Sequence, residues 1–123
     1  MHIDATFFAL VALIIFLAVA AAHLYPALHR VDCEAFSVDW RTPLDRVRPL
    51  VGGRTLQGNL DLAILCAPFD VVRPHVDRVL ASGRGGGHVF NLGHGMLPTA
   101  DPDVVRRVVD HVHASPRGPQ ADA

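Results

Sequence analysis

The feature that most constrains this chain is an apolar run near its start. Residues 5–22 read ATFFALVALIIFLAVAAA, in which Thr6 is the one polar side chain. Because about 20 apolar residues span the hydrocarbon core of a bilayer, the run predicts a transmembrane helix. Asp4 precedes the run and arginines follow it from Arg30 onward, which predicts that the C-terminal part faces the cytoplasm. A cleaved signal peptide and a buried helix of a soluble protein are the alternatives.

The charged and cysteine residues narrow the possible functions. All eleven basic residues are arginines, so the chain has neither a P-loop lysine nor a lysine for a Schiff base. The net charge of −1 gives no support for binding to nucleic acid or to an anionic membrane. Two distant cysteines, Cys33 and Cys66, favour a reducing compartment over a disulfide scaffold, and Cys66 is interpreted as a buried structural residue. With 123 residues, the chain is long enough for one small domain.

From Val31 onward the sequence alternates between strand and helix patterns. Strands are predicted over residues 35–40, 54–58 and 87–92. Helices are predicted from the Thr42–Pro43 cap to about Val51, from Pro68 to Gly83 and from Asp101–Pro102, with a disordered tail from Ser115. Pro49 and Pro74 fall inside the first two helices, which are therefore expected to kink or to be shorter. Three β-α units predict a parallel sheet with helices outside it, either doubly wound or part of a (β/α)8 barrel.

Two candidate sites each follow a predicted strand. Ligands of parallel α/β folds bind at the C-terminal ends of strands, which selects residues 57–61, QGNLD, and residues 91–95, NLGHG. The polar residues of the first segment alternate, and Gly58 between them allows a ligand or another backbone to approach closely. A polar cap on the strand end is the alternative. His94 stands between two glycines that allow unusual backbone angles, and is either a binding residue or a solvated loop histidine.

The histidines and glycines do not predict a metal or phosphate site. His88 and His94 bracket the last strand about 20 Å apart, too far to share one ion. His111 and His113 are two residues apart on a helix, so they face different ways. Residues 83–87 are rich in glycine but precede a strand, so they are interpreted as a connection and not as a phosphate-binding loop.

Three motifs carry a family resemblance. FSVDWRTPLDRVR (36–48), TLQGNLD (55–61) and GHVFNLGHGMLP (87–98) together resemble the C-terminal part of uroporphyrinogen decarboxylase, from about Val31 to Ser115. Leu62 stands where that family usually has proline. The related corrinoid methyltransferases differ, since they place a zinc-binding cysteine in the last strand region. Separately, the opening MHIDATFFALVALIIFLA is similar to the membrane segment of ATP synthase subunit b.

The first resemblance implies a fold and an activity. The family is a (β/α)8 barrel that decarboxylates the four acetate side chains of uroporphyrinogen to give coproporphyrinogen, in porphyrin and heme biosynthesis, without a metal or organic cofactor. The resemblance implies that the three β-α units are the last three of the barrel and that His94 binds the porphyrinogen substrate. It assigns no catalytic residue here, because the family's arginine-rich motif, catalytic aspartate and tyrosine belong to its first five units.

We therefore expect three segments: a transmembrane helix and junction over residues 1–30, a decarboxylase-like barrel fragment over 31–115, and a disordered tail over 116–123. The fragment is expected to be inactive alone and to lie in the cytoplasm, anchored to the membrane by residues 5–22. The alternative function is a membrane-anchored structural protein related to subunit b. A homo-oligomer, or a chain that supplies the missing units of the barrel, is the expected kind of partner, and nucleic acid is not.

Overall fold

A parallel β-sheet forms the centre of the molecule. The computed structural model describes residues 15–18 and 22–117. Its sheet has four strands in the order β1-β2-β3-β4, all parallel, and they are β1 (Ile15–Ala18), β2 (Ala35–Val38), β3 (Thr55–Leu60) and β4 (His88–Leu92). Consecutive strands are neighbours, so every connection is a β-α-β crossover of the kind that parallel strands require.

Helical segments of different lengths connect and follow the strands. The α-helices are α1 (Tyr25–Leu28), α2 (Leu44–Val47), α3 (Phe69–Ser82) and α4 (Pro102–Ala114). Short 3-10 helices cover Ala22–Leu24, Arg48–Val51 and Leu62–Cys66. The described chain therefore contains four β-α units, one more than the three predicted.

The fourth unit begins within the apolar run of residues 5–22. The transmembrane helix predicted there is wrong. Ile15–Ala18 forms strand β1 and pairs with Ala35–Val38 of β2. A strand that is buried in a parallel sheet reads as a continuous apolar run, which composition does not separate from a membrane helix. Among the residues that the structure describes, no helix is long and apolar enough to cross a membrane. The rest of the predicted span, residues 5–14 and 19–21, lies outside the described residues.

The other predicted elements are confirmed with shifted ends. Strands predicted at 35–40, 54–58 and 87–92 occur at 35–38, 55–60 and 88–92. The first predicted helix is shorter, because it changes to a 3-10 turn at Arg48, next to Pro49, and Pro43, not Thr42, occupies the N-cap position. Gly52 ends that segment with a left-handed φ of 70°. Cys66 is exposed, against the prediction that it is buried. Residues 118–123 of the predicted tail are outside the described residues.

The two hydrophobic clusters both lie on one face of the sheet. Alternate residues of a strand point to the same face, and the strand register puts Phe36 beside Leu56 and Gly58 beside Phe90. The first cluster is Tyr25, Phe36, Val38, Leu44, Val47, Val51 and Leu56, and the second is Leu60, Leu65, Val72, Val76, Val104 and Val108. A doubly wound sheet carries helices on both faces, whereas a barrel carries them on its outside only. The described chain has the one-sided arrangement.

Arg48 ties the N-terminal edge of the sheet together. Its guanidinium donates to the carbonyl oxygens of Gly83, Gly87 and Arg54 at 2.8, 3.1 and 3.3 Å, and the residue is 8% exposed. Burial lowers the pKa of Arg48 from its ordinary value, and three carbonyl dipoles compensate for the desolvated charge. A Cβ on Gly86 would lie 2.5 Å from a guanidinium nitrogen. Residues 83–87 thus pack closely around the Arg48 side chain, consistent with the interpretation of this segment as a connection.

His88 is half-buried at the start of β4. Its Nε2–H donates to the carbonyl oxygen of Gly58 at 2.7 Å, and a Cβ on Gly83 would lie 2.1 Å from its Nδ1. Burial lowers the pKa of His88, and the nearby Arg48 charge lowers it further, against the opposing effect of the hydrogen bond. The neutral ring is therefore the form that the fold accommodates.

We predict that Arg48→Leu lowers the free energy of unfolding by about 3 kcal/mol, because three buried carbonyls lose a charged donor. The measurement is chemical denaturation followed by circular dichroism. Arg46→Leu is the matched control, since Arg46 is exposed on α2, two residues before Arg48. Equal losses in the two variants would show that the hydrogen bonds of Arg48 contribute nothing specific.

We predict that His88 makes the fold less stable in acid. Its pKa is lower in the folded than in the unfolded chain, so between those values only the unfolded chain binds the proton. Stability should fall as the pH drops below about 6.5, by about 1.4 kcal/mol for each pH unit of that interval. Denaturation curves of His88→Gln and the parent chain at several pH values isolate this effect. A parallel pH dependence in both would contradict it.

Candidate functional site

Both predicted site segments lie together at the C-terminal edge of the sheet. Residues 57–61 include the end of β3 and residues 91–95 follow from β4, and the register pairs Asn59 with Asn91. Gly93 extends the contact, because its N–H donates to the Leu60 carbonyl oxygen at 2.8 Å. The loop after β2 reaches the same edge, so the segments that follow β2, β3 and β4 lie together there.

Asn59 holds the loop after β2 at this edge. Its amide nitrogen donates to the carbonyl oxygens of Asp39 and Thr42 at 2.7 and 2.6 Å, and the residue is 6% exposed. The buried Asp39 carboxylate in turn accepts from the backbone N–H and the guanidinium of Arg41 at 3.1 and 3.2 Å. Of the two interpretations of the polar residues in 57–61, the structural one applies to Asn59. Asp61 is likewise a cap, since it accepts from the Ala63 N–H at 3.0 Å.

The glycines of the two segments serve close packing. A Cβ on Gly58 would lie 2.6 Å from the Val38 carbonyl oxygen, so the predicted close approach is by another backbone. A Cβ on Gly93 would lie 2.3 Å from the backbone nitrogen of Trp40. The glycines around His94 do not use the unusual backbone angles that they allow, because the positive φ values of the described residues are at other glycines, including Gly58 at 130°.

His94 is exposed beside the loop after β2. Its ring lies 6.4 Å from the Trp40 ring, centroid to centroid, at an interplanar angle of 51°. The contact between Gly93 and the Trp40 backbone brings the two rings this close. The Arg41 guanidinium lies over the same indole ring, with its Cζ 4.3 Å from the ring centroid, so Trp40 contacts both a cation and the histidine.

A cavity of about 640 Å³ opens beside His94. Its polar lining comes from Ser37, Gln57, Asn91 and His94, and its apolar lining includes Phe90, Met96 and one side of α4. Gln57 Nε2 donates to Ser37 Oγ at 3.4 Å. None of the described residues that line the cavity is acidic, lysine or arginine, so it offers neutral hydrogen-bonding groups and one imidazole.

Ser37 and Trp40 were not predicted as site residues from the sequence. Ser37 is the register partner of Gln57, and both point away from the face that the helices cover. The sequence signal for Ser37 was a polar residue inside an otherwise apolar strand. Its position in the sheet depends on how the strands align. No local pattern predicted Trp40, because its contact is with Gly93, which is far away in the sequence.

A smaller cavity of about 280 Å³ lies at the same edge, between the loop after β2 and helix α3. Trp40, Arg41, His75 and Arg78 line it together with Asp61. No cluster of three histidine, cysteine or acidic side chains in the described part of the chain is arranged as a metal site.

Comparison with known proteins gives one consistent family. The sequence profile described as "Uroporphyrinogen decarboxylase (URO-D)" matches residues 4–115. The chain is 48% identical over 105 residues to the uroporphyrinogen decarboxylase of Salinispora tropica, which covers 84% of the chain and 28% of that protein. Proteins of the same name from Saccharopolyspora erythraea and Thermobifida fusca are 47% and 49% identical over 104 and 100 residues, or 78% and 77% of the chain. These matches cover 29% and 27% of those proteins, so the chain spans under a third of each relative.

We predict that Gly93→Ala lowers the free energy of unfolding by about 1–3 kcal/mol, because the added methyl group overlaps the Trp40 backbone. Gly95→Ala is the matched control: nothing lies within 4 Å of a Cβ at that position. It should change stability by less than about 0.5 kcal/mol. Urea denaturation measures both variants, and equal effects would contradict the close contact between Gly93 and Trp40.

Proposed function

The chain belongs to the uroporphyrinogen decarboxylase family, and from this premise we propose that it carries one side of a porphyrinogen-binding site. The observation that supports this most directly is the position of His94. It lies at the C-terminal edge of a parallel sheet, the edge at which (β/α)8 barrels bind their substrates, and it lines a cavity there. The substrate class proposed is a tetrapyrrole with several carboxylates.

The proposed fold is part of the family's (β/α)8 barrel. Four parallel strands with consecutive neighbours and helices on one face support this proposal over a doubly wound sheet. On this proposal the uncovered face, with Ser37 and Gln57, faces the barrel interior. Polar residues are unusual in the packed interior of such a barrel, and at its C-terminal end they are where a ligand is bound.

We further propose that His94 donates a hydrogen bond from its imidazole to a carboxylate of the substrate. The activity proposed for the complete barrel is the decarboxylation of uroporphyrinogen acetate groups to give coproporphyrinogen. The chain of 123 residues should not perform it alone, because its four described strands do not close an eight-stranded barrel and the cavity lining beside His94 has no arginine. Binding without turnover is the behaviour proposed for this chain.

The alternative of a membrane-anchored structural protein is not proposed further. It depended on a helix through residues that include Ile15–Ala18, which form a strand. The decarboxylase profile begins at residue 4, so it includes the whole apolar run of residues 5–22, part of which resembled ATP synthase subunit b.

We predict that the chain binds uroporphyrin, the stable oxidised form of the substrate, and that His94→Ala weakens binding about tenfold, the loss of one hydrogen bond to a charged group. Porphyrin fluorescence titration gives Kd for each variant. His113→Ala is the matched control, since His113 is exposed on α4 and does not line the cavity. No binding, or equal Kd values for both variants, would contradict the role of His94. Conversion of uroporphyrinogen to coproporphyrinogen by the purified chain would contradict its proposed inactivity.

A further inference from the structure

Asn91 lies near the C-terminal end of strand β4, three residues before His94. It is in β4 and is the register partner of Asn59, so both side chains point away from the helix-covered face. The two amides differ in what they do. Asn59 is buried and uses its amide nitrogen to hold the loop after β2, whereas Asn91 is exposed and lines the cavity beside His94.

The hydrogen bond made by Asn91 fixes which end of its amide is available. Its Oδ1 accepts from the backbone N–H of Leu92 at 2.8 Å. That bond orients the side chain and engages its acceptor, and the Nδ2 group has no partner among the described residues. An amide held in this way presents two N–H donors and therefore selects a ligand that accepts hydrogen bonds.

We propose that Asn91 is a second substrate-binding residue, whose Nδ2 donates to a carboxylate of the porphyrinogen next to the one bound by His94; this inference rests on the proposed function. Three further features support it. No acidic side chain in the described part of the cavity lining would repel a carboxylate. A hydrogen bond to an ionised acceptor is about twice as strong as a neutral one. The donor is already oriented, so binding costs little side-chain entropy.

The other polar residues of the cavity fit this division of roles. Gln57 directs its Nε2 towards Ser37 Oγ, across the sheet and away from β4. Its amide oxygen is thus the end left for a ligand, and an oxygen there suits a pyrrole N–H and not a carboxylate. Asn91 and His94 would then hold the acidic periphery of the tetrapyrrole, while Gln57 lies nearer its ring.

The test is the isosteric change Asn91→Asp. It keeps an oxygen to accept from Leu92 N–H, so the local backbone is retained, but it removes both donors and adds a negative charge. We expect Kd for uroporphyrin to rise by at least about tenfold. Arg84→Gln is the matched control, since it lowers the net charge by the same amount at an exposed position at the other end of β4. Its Kd should change by less than about twofold, because exposed charges that are far apart are screened.

A second variant covers the case in which Asn91→Asp fails to fold. Asn91→Ser has no charge and keeps one donor, so its Kd should lie between those of the parent chain and Asn91→Asp. Thermal unfolding of each variant reports whether the fold is retained. Unchanged binding in folded Asn91→Asp, or equal losses in Arg84→Gln, would overturn the role of Asn91 while leaving that of His94 intact. Absence of binding by the parent chain would overturn both.

Discussion

Strand β3 lies between β2 and β4, and the rest of the structure depends on how closely its two neighbours approach it. Gly58 permits this approach, since a Cβ there would overlap the Val38 carbonyl oxygen. At the C-terminal edge Asn59 ties β3 to the loop after β2, and the Leu60 carbonyl oxygen accepts from Gly93. At the N-terminal edge Arg48 performs the same function through backbone carbonyls. The position of His94 is a consequence of this pairing.

The sequence predicted the elements whose signals are local. Three of the four strands and the Asp101 cap depend on a few neighbouring residues, and the structure confirms them. Strand β1 was missed because a fully apolar run has the same composition in a buried parallel strand and in a membrane helix. The choice between a barrel and a doubly wound sheet was also open, because strand order in the chain does not determine which face the helices cover.

The site was predicted in location and only partly in composition. Strand ends identified the segments around Asn59 and His94 because parallel strands bring their C-terminal ends to one edge. The role of Asn59 depends on contacts across 17 and 20 positions, with Thr42 and Asp39, that no local pattern contains. The amides of Asn59 and Asn91 are equivalent in sequence analysis. Their hydrogen bonds make one of them part of the scaffold and the other part of the proposed binding surface.

We expect the tetrapyrrole to bind at the C-terminal edge of the sheet, at the polar groups that line the cavity beside His94. The most direct measurement is a nuclear magnetic resonance titration of the ¹⁵N-labelled chain with uroporphyrin. Amide shifts should change at residues 91–96 and at Gln57, with little change in the segment 83–87 at the opposite edge. Changes confined to residues 83–87, or to the outer surfaces of α3 and α4, would contradict it.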